Sequence, residues 1–366
     1  MEKKEKKTKL KLSIKGIIIL VVLLILLGIS IFQINTFMTV YRKGYSVTSS
    51  IKINKAGLKS KILEHDYSKL VDQLIHDGMF VEENFDSYFL IDYIAYDGFG
   101  SDVNKLLEMK YTPNQINMIN KKNDKELLST VKSKYISDID KYIEYNYFKL
   151  DKLDRYISYN KGDYKDAVIS VNIGLDKEYY TDPTIVKEYS INMIVNKYNS
   201  LEKEYVPKDL VKLDHCSEGE NYLAKDAKEA YDKLCDASKK DGLNFGVTSS
   251  YRSYSDQEGT WNYYLKVNGQ DYANKYVARP GFSEHQTGLA LDVKSTISSP
   301  FKTTKEYKWM LENAYKYGFI LRYPENKESI TGFNSEAWHF RYVGVEVATK
   351  MKEENLTYEE YCAMYL

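Results

Sequence analysis

The chain has 366 residues, 43% of them apolar, with 52 Lys plus Arg balanced by 52 Asp plus Glu. That length and apolar content exclude a disordered chain and leave room for two domains with real cores. Seven lysines and two glutamates give residues 1–15 a net +5, which leaves −5 for the remainder; a mildly acidic remainder gives no reason to expect nucleic-acid binding.

In chain order, the first element is apolar. Gly16 to Phe32 reads GIIILVVLLILLGISIF without a single charge, and Ile34, Phe37 and Met38 extend it. As a helix it can cross a hydrocarbon core of about 30 Å. A cleaved signal peptide has a shorter apolar stretch and a small-residue cleavage site. No A-x-A-like site follows here, and no Cys stands at the end for lipid attachment. The expectation is a single-pass signal anchor over 16–38. The basic tail 1–15 then stays in the cytoplasm, and everything after about Thr36 lies outside the cell.

Residues 39–59 are polar and rich in Lys and Ser, and read as a linker. From 60 to 204 the pattern is helical. Leu63, Tyr67, Leu70 and Leu74 recur at steps of three and four. Thr112-Pro113 and Asp182-Pro183 read as helix starts, a capping side chain followed by Pro. Leu90–Tyr96 (LIDYIAY) resembles Leu153–Tyr159 (LDRYISY), and Met109-Lys110-Tyr111 can be set against Ile173-Gly174-Leu175. Two weak copies do not make a solenoid. The expectation is a helical module, its role open, that spaces the rest of the chain from the membrane.

Tyr205-Val206-Pro207 breaks that pattern. A helix is expected over about 221–239, with Leu223, Ala227, Ala230, Tyr231 and Leu234 on one face. Strand-like runs follow at Phe245–Thr248 and Leu289–Val293, and a further helix near 305–317 carries Trp309 and Ala314. Helices and short strands without a clean βαβ series predict an α+β domain over 205–366. The three cysteines, Cys216, Cys235 and Cys362, are an odd set. Cys216 and Cys235 can bridge, but buried free thiols are the reading adopted. No CxxC or His cluster accompanies them, so a Cys-type zinc site is not expected.

Two segments carry chemistry. In FSEHQTGLALD, Phe282 to Asp292, alternation puts Leu289, Leu291 and Val293 on one face of a strand and Ala290 and Asp292 on the other. Gly288 permits a bend before it, so His285 and Asp292 can converge on one metal. In EAWHFRY, Glu336 to Tyr342, a Glu stands three residues before His339. Two imidazoles and one carboxylate leave a fourth zinc position open for water, with the remaining carboxylate free to act as base. Positions i and i+3 point oppositely in an ideal strand, so a turn near Ala337 is required.

These residues closely resemble the zinc-dependent D-Ala-D-Ala carboxypeptidases of the VanY type. The family's S-x-H-x-x-G-x-A-x-D is met by Ser283, His285, Gly288, Ala290 and Asp292. Its E-P-W-H-x-R-Y is met by Glu336, Trp338, His339, Arg341 and Tyr342, with Ala337 in place of Pro. Its S-G-Y-R-S-x-x-x-Q is similar to Ser249–Gln257, with Ser250 in place of Gly, and Tyr317–Pro324 (YGFILRYP) resembles a stretch between the two metal motifs. The resemblance covers about 205–366 and implies an α+β zinc peptidase domain with a small antiparallel sheet. It implies His285, Asp292 and His339 as ligands of one Zn²⁺ per chain and Glu336 as catalytic base. Arg252 would stabilise the oxyanion or hold the substrate's terminal carboxylate, Gln257 would orient Arg252, and Ser283 would hydrogen-bond substrate. His65, His76 and His215 lie outside every motif.

The function implied is removal of the terminal D-alanine from peptidoglycan stem peptides by a cell-membrane enzyme. An L,D-carboxypeptidase acting on tetrapeptide stems would use the same catalytic group. A catalytically silent wall-binding module would have lost a ligand or the base, and none is lost. Oligomeric state is not legible.

Overall fold

The structure, a computed structural model, describes residues 13–295 and 300–366. It divides into two compact units, one ending at Glu144 and one spanning Tyr145–Leu366. The expected boundary at 204/205 therefore falls inside the second unit.

The first unit opens with a helix over Ile14–Arg42, capped by the Ser13 side chain, which accepts from Gly16 N. It is the one helix among the described residues that is long and apolar enough to cross a membrane. It outruns the expected 16–38, and Thr36 and Val40 near its end are buried. Residues 39–59, expected as a linker, are helical instead over Val47–Ala56 and from Lys59. Ser46 caps the first of these, and Tyr45, Ser49, Ser50 and Ile53 are buried. Small hydroxyl side chains that pack into a core have the same composition as a linker.

The rest of this unit is short helices. Ser68 caps Lys69–Asp77, whose buried stripe is Leu70, Val71, Leu74 and Ile75. The predicted periodicity through Leu63 and Tyr67 crosses that cap, and Tyr67 is exposed. Pro113–Lys122 begins as predicted, with Thr112 and Gln115 forming a reciprocal capping box.

The hinted repeat is real but shifted. Tyr88 Oη donates to Asn104 Oδ1 (2.5 Å) and accepts from Val81 N (3.3 Å), while Asn104 Nδ2 donates to Met79 O (2.7 Å). In the second unit Tyr156 Oη donates to Asn172 Oδ1 (2.8 Å) and accepts from Lys149 N (3.2 Å), and Asn172 Nδ2 donates to Tyr147 O (2.9 Å). Each atom of one clasp has its counterpart 68 positions on, as from Tyr88 to Tyr156. The apolar resemblance of Leu90–Tyr96 to Leu153–Tyr159 pairs Tyr93 with Tyr156, five residues out of this register.

Asp182-Pro183 does not start a helix. Asp182 adopts φ +44°, and the β-branched residues after it extend. Thr184–Ile185 (β1) pairs in parallel with Asn199–Ser200 (β2). Leu210–Lys212 (β3) and Tyr222–Ala224 (β4) form an antiparallel pair, so the next helix begins at Lys225 rather than at 221, and runs to Lys240. Cys235 on that helix and Cys216 in the preceding loop form a disulfide, which corrects the free-thiol expectation. A 19-residue separation carries no pairing signal of its own.

The domain centre is a four-stranded antiparallel sheet. Its strands are Phe245–Ser249 (β5), Ala290–Ser295 (β6), Phe319–Tyr323 (β7) and Glu336–Tyr342 (β8), in the order β5-β6-β8-β7. One face packs Leu291, Val293, Phe319 and Phe340 against the Lys225–Lys240 helix through Tyr231 and Leu234. At roughly 1.5–3 kcal/mol for each large apolar side chain buried, this face holds the sheet to its helix. The other face carries Asp292, His339 and Arg341.

Candidate metal centre

Ser283 caps a short 3₁₀ turn over Glu284–Thr287 that presents His285. Gly288 ends the turn at φ +69°, and an added Cβ there would sit 3.0 Å from Leu210 Cδ2 and 3.1 Å from Ala224 N. Only glycine meets both demands, a left-handed backbone and a close strand. The chain then enters β6, where alternation puts Asp292 on the face away from the core.

Register does the rest. Asp292 is paired directly with His339 across β6 and β8, and Nδ1 of that histidine lies 3.0 Å from Asp292 Oδ1. His285 Nε2 is 3.3 Å from Asp292 Oδ2, and the two imidazole rings meet edge to face, 5.0 Å apart. One ligand atom each from His285, Asp292 and His339 fall within 4.8 Å of one another. Two imidazole nitrogens and a carboxylate oxygen converging from three sides suit Zn²⁺. The rings are also held from behind, as metal-binding histidines are: His285 Nδ1 lies 2.7 Å from Ser250 O, and His339 Nε2 lies 3.5 Å from Glu284 Oε2. His215, Cys235 and Asp236 also cluster, but the Cys235 sulfur is taken by the disulfide.

The local change that the Glu336–His339 spacing demands is present as a bulge rather than a turn. Leu321 pairs with Phe340 and Tyr323 with Glu336, so β8 holds two more residues than β7 between those pairs. Glu336 thereby reaches the same side as His339, with Oε2 3.9 Å from His339 Nδ1. Burial pushes the Glu336 carboxyl up to about 8, while His339 pulls it the other way. Burial also works against a charged Asp292, but the two histidines hold it well below the usual carboxylate range.

Arg252 leaves the end of β5 and lines the same cleft, about 260 Å³ in volume, with Gln257, Ser283 and Trp338. Its guanidinium donates to Gln257 Oε1 (2.8 Å) and Ser249 Oγ (2.7 Å), and Gln257 Nε2 donates to Ala278 O (2.7 Å). The structure thus gathers the predicted site residues Arg252, Gln257, Ser283, His285, Asp292, Glu336 and His339 around one cleft. Ser283 Oγ accepts from His285 N at 3.3 Å, a capping bond, and also lines the cleft.

The motifs do not reveal the ion cluster beside the candidate ligands. Glu284, Arg322, Arg341 and Glu359 are all buried. Glu284 Oε1 accepts from Arg322 Nε (2.8 Å) and Arg341 Nη1 (3.1 Å), and Arg322 forks onto Glu359 at 2.9 and 2.6 Å. Burial disfavours a charged Glu284, yet the two arginines keep it well below the ordinary range. An arginine inside the apolar run FILRY was a usable signal for a buried partner; nothing local marks Glu359.

A family model described as D-alanyl-D-alanine carboxypeptidase, VanY, matches residues 220–345. The chain is 40% identical over 204 residues to the putative carboxypeptidase YodJ of Bacillus subtilis, covering 51% of this chain and 75% of that protein. It is 37% identical over 177 residues to VanXYC of Enterococcus gallinarum, a bifunctional D-Ala-D-Ala dipeptidase and D-Ala-D-Ala carboxypeptidase, covering 46% of this chain and 91% of that one. A D-alanyl-D-alanine carboxypeptidase of Enterococcus faecium is 35% identical over 193 residues, with 49% and 61% covered. With these relatives, and with His285, Asp292, His339 and a neighbouring carboxylate gathered on one cleft, the chain belongs to the VanY family of D-alanyl-D-alanine carboxypeptidases.

Proposed function

We propose that this protein is a membrane-anchored zinc carboxypeptidase that removes the terminal D-alanine from peptidoglycan stem peptides. The observation that carries the reading is the convergence of His285, Asp292 and His339 within 4.8 Å, beside the Glu336 carboxylate. The names of the enterococcal relatives support the substrate. His285, Asp292 and His339 would hold one Zn²⁺, which when bound supplies Lewis-acid chemistry and lowers the pKa of a water to about 7. Glu336, in the carboxylate form that a neighbouring cation favours over its buried neutral form, takes the proton of the attacking water and delivers it to the departing amine. Arg252, steadied by Gln257 and Ser249, either forks onto the substrate's terminal carboxylate or stabilises the developing oxyanion. Ser283 offers a hydrogen bond at the cleft wall.

The Ile14–Arg42 helix supports an anchor, and the lysines before it support a cytoplasmic N-terminus. The Cys216–Cys235 disulfide accords with a catalytic domain outside the reducing cytosol.

The test is mass spectrometry of synthetic stem peptides after incubation with the full-length chain in detergent. Release of D-alanine from the pentapeptide, abolished by chelator and restored by zinc, is the expected result. Cleavage of the tetrapeptide alone would assign L,D specificity instead. Turnover that survives complete zinc removal would overturn the mechanism.

A further inference from the structure

The two histidines of the metal centre present opposite nitrogens. His285 turns Nε2 toward Asp292, with Nδ1 2.7 Å from the Ser250 carbonyl. His339 turns Nδ1 toward Asp292, with Nε2 3.5 Å from Glu284 Oε2. A carbonyl and a carboxylate can only accept. Once Asp292 turns its oxygens to a bound ion, the acceptor behind each ring is the one left for its N–H, so each ring takes one neutral tautomer and its bare nitrogen faces the metal position.

Glu284 follows Ser283 and precedes His285, and its side chain lies buried against Arg322, Arg341 and His339. Its Oε1 is fully used by Arg322 and Arg341. Those arginines are fixed in turn: Arg322 by Glu359, and Arg341 by the carbonyls of Met193 (2.7 Å) and Ile191 (3.1 Å). Two arginines and two glutamates balance their own charges. The cluster does not need His339 for neutrality, and Oε2 remains free to face it.

From this geometry we infer that Glu284 is a positioning residue that sets the His339 tautomer and ring angle, and that the buried arginine pair holds Glu284 for that task. The inference rests on the zinc reading of the site. It does not place Glu284 in contact with substrate.

The test uses the full-length chain and Glu284→Gln. If the amide oxygen keeps the arginines, its NH₂ faces His339 Nε2 and demands an acceptor there. The ring proton then moves to Nδ1, the atom that must bind metal. Zinc affinity, measured by competition with a chromophoric chelator, falls about 10- to 100-fold, as for loss of an outer-shell partner, and the visible spectrum of the Co²⁺-loaded protein changes. Affinity within twofold of wild type with an unchanged Co²⁺ spectrum, even at a lower melting temperature, would mean that Glu284 only fills the arginine pocket. Should the variant not fold, ¹⁵N NMR of the histidine rings in zinc-loaded wild type decides. One liganding ring protonated at Nδ1 and the other at Nε2 supports the inference; both protonated at the same nitrogen overturns it. A wild-type chain that binds no zinc defeats the proposed function itself, whereas zinc binding indifferent to Glu284 defeats this inference alone.

Discussion

Asp292 and His339 face each other across two antiparallel strands, 47 positions apart in sequence and 3.0 Å apart at Oδ1 and Nδ1. The candidate metal centre is thus built on a strand pair and a capped turn, elements that hold geometry better than loops do.

Asp292→Asn keeps the shape and removes the charge. Zinc binding should weaken by more than the about 10- to 100-fold typical of losing an outer-shell partner, because a direct ligand is lost. Elemental analysis of the dialysed full-length variant checks this; wild-type zinc content would refute Asp292 as a ligand.

Glu336→Gln separates binding from chemistry. The variant should keep its zinc while kcat falls by about 10²- to 10⁴-fold, the usual contribution of a positioned base. A variant with near-normal turnover would assign the proton transfer to another group.

Arg252→Lys should act on substrate and leave the metal alone. A lysine cannot fork between Gln257, Ser249 and an anion. Loss of a charged hydrogen bond worth about 1.5–3 kcal/mol corresponds to roughly a 10- to 150-fold drop in kcat/KM. A change confined to KM would assign Arg252 to the ground-state carboxylate, and one confined to kcat to the oxyanion.

Gly288→Ala should destabilise the domain through its backbone. The left-handed conformation alone costs about 1–2 kcal/mol for a residue with a Cβ, and the contacts at 3.0 and 3.1 Å add to it. Gly242→Ala, at φ +72° with nothing within 4 Å, carries the strain without the crowding. Thermal melts should rank Gly288→Ala below Gly242→Ala; equal melting temperatures would show that the approach to Ala224 is not confining.

Tyr88→Phe removes the hydroxyl that joins Val81, Asn104 and, through Asn104, Met79. Leaving those groups unpaired should cost about 1–3 kcal/mol, seen as a lower denaturation midpoint. Turnover of a soluble peptide below that midpoint should match wild type. A loss of turnover would tie the helices of the first unit to catalysis.

Local sequence determined the apolar N-terminal helix, the Thr112 cap, the helix–strand alternation of the C-terminal domain and the face on which Asp292 stands, because periodicity and capping act within a few residues. It also named the residues that meet in the cleft, through motifs rather than geometry. Tertiary structure alone decided the β8 bulge that swings Glu336 beside His339, the Cys216–Cys235 bridge, the 68-residue register of the Tyr–Asn clasps, and the seat of Glu284 between Arg322 and Arg341. Those depend on strand pairing and on burial of charge against a partner far along the chain; local residues such as the arginine in FILRY or the Glu336–His339 spacing show that a partner or an irregularity is needed, not which one.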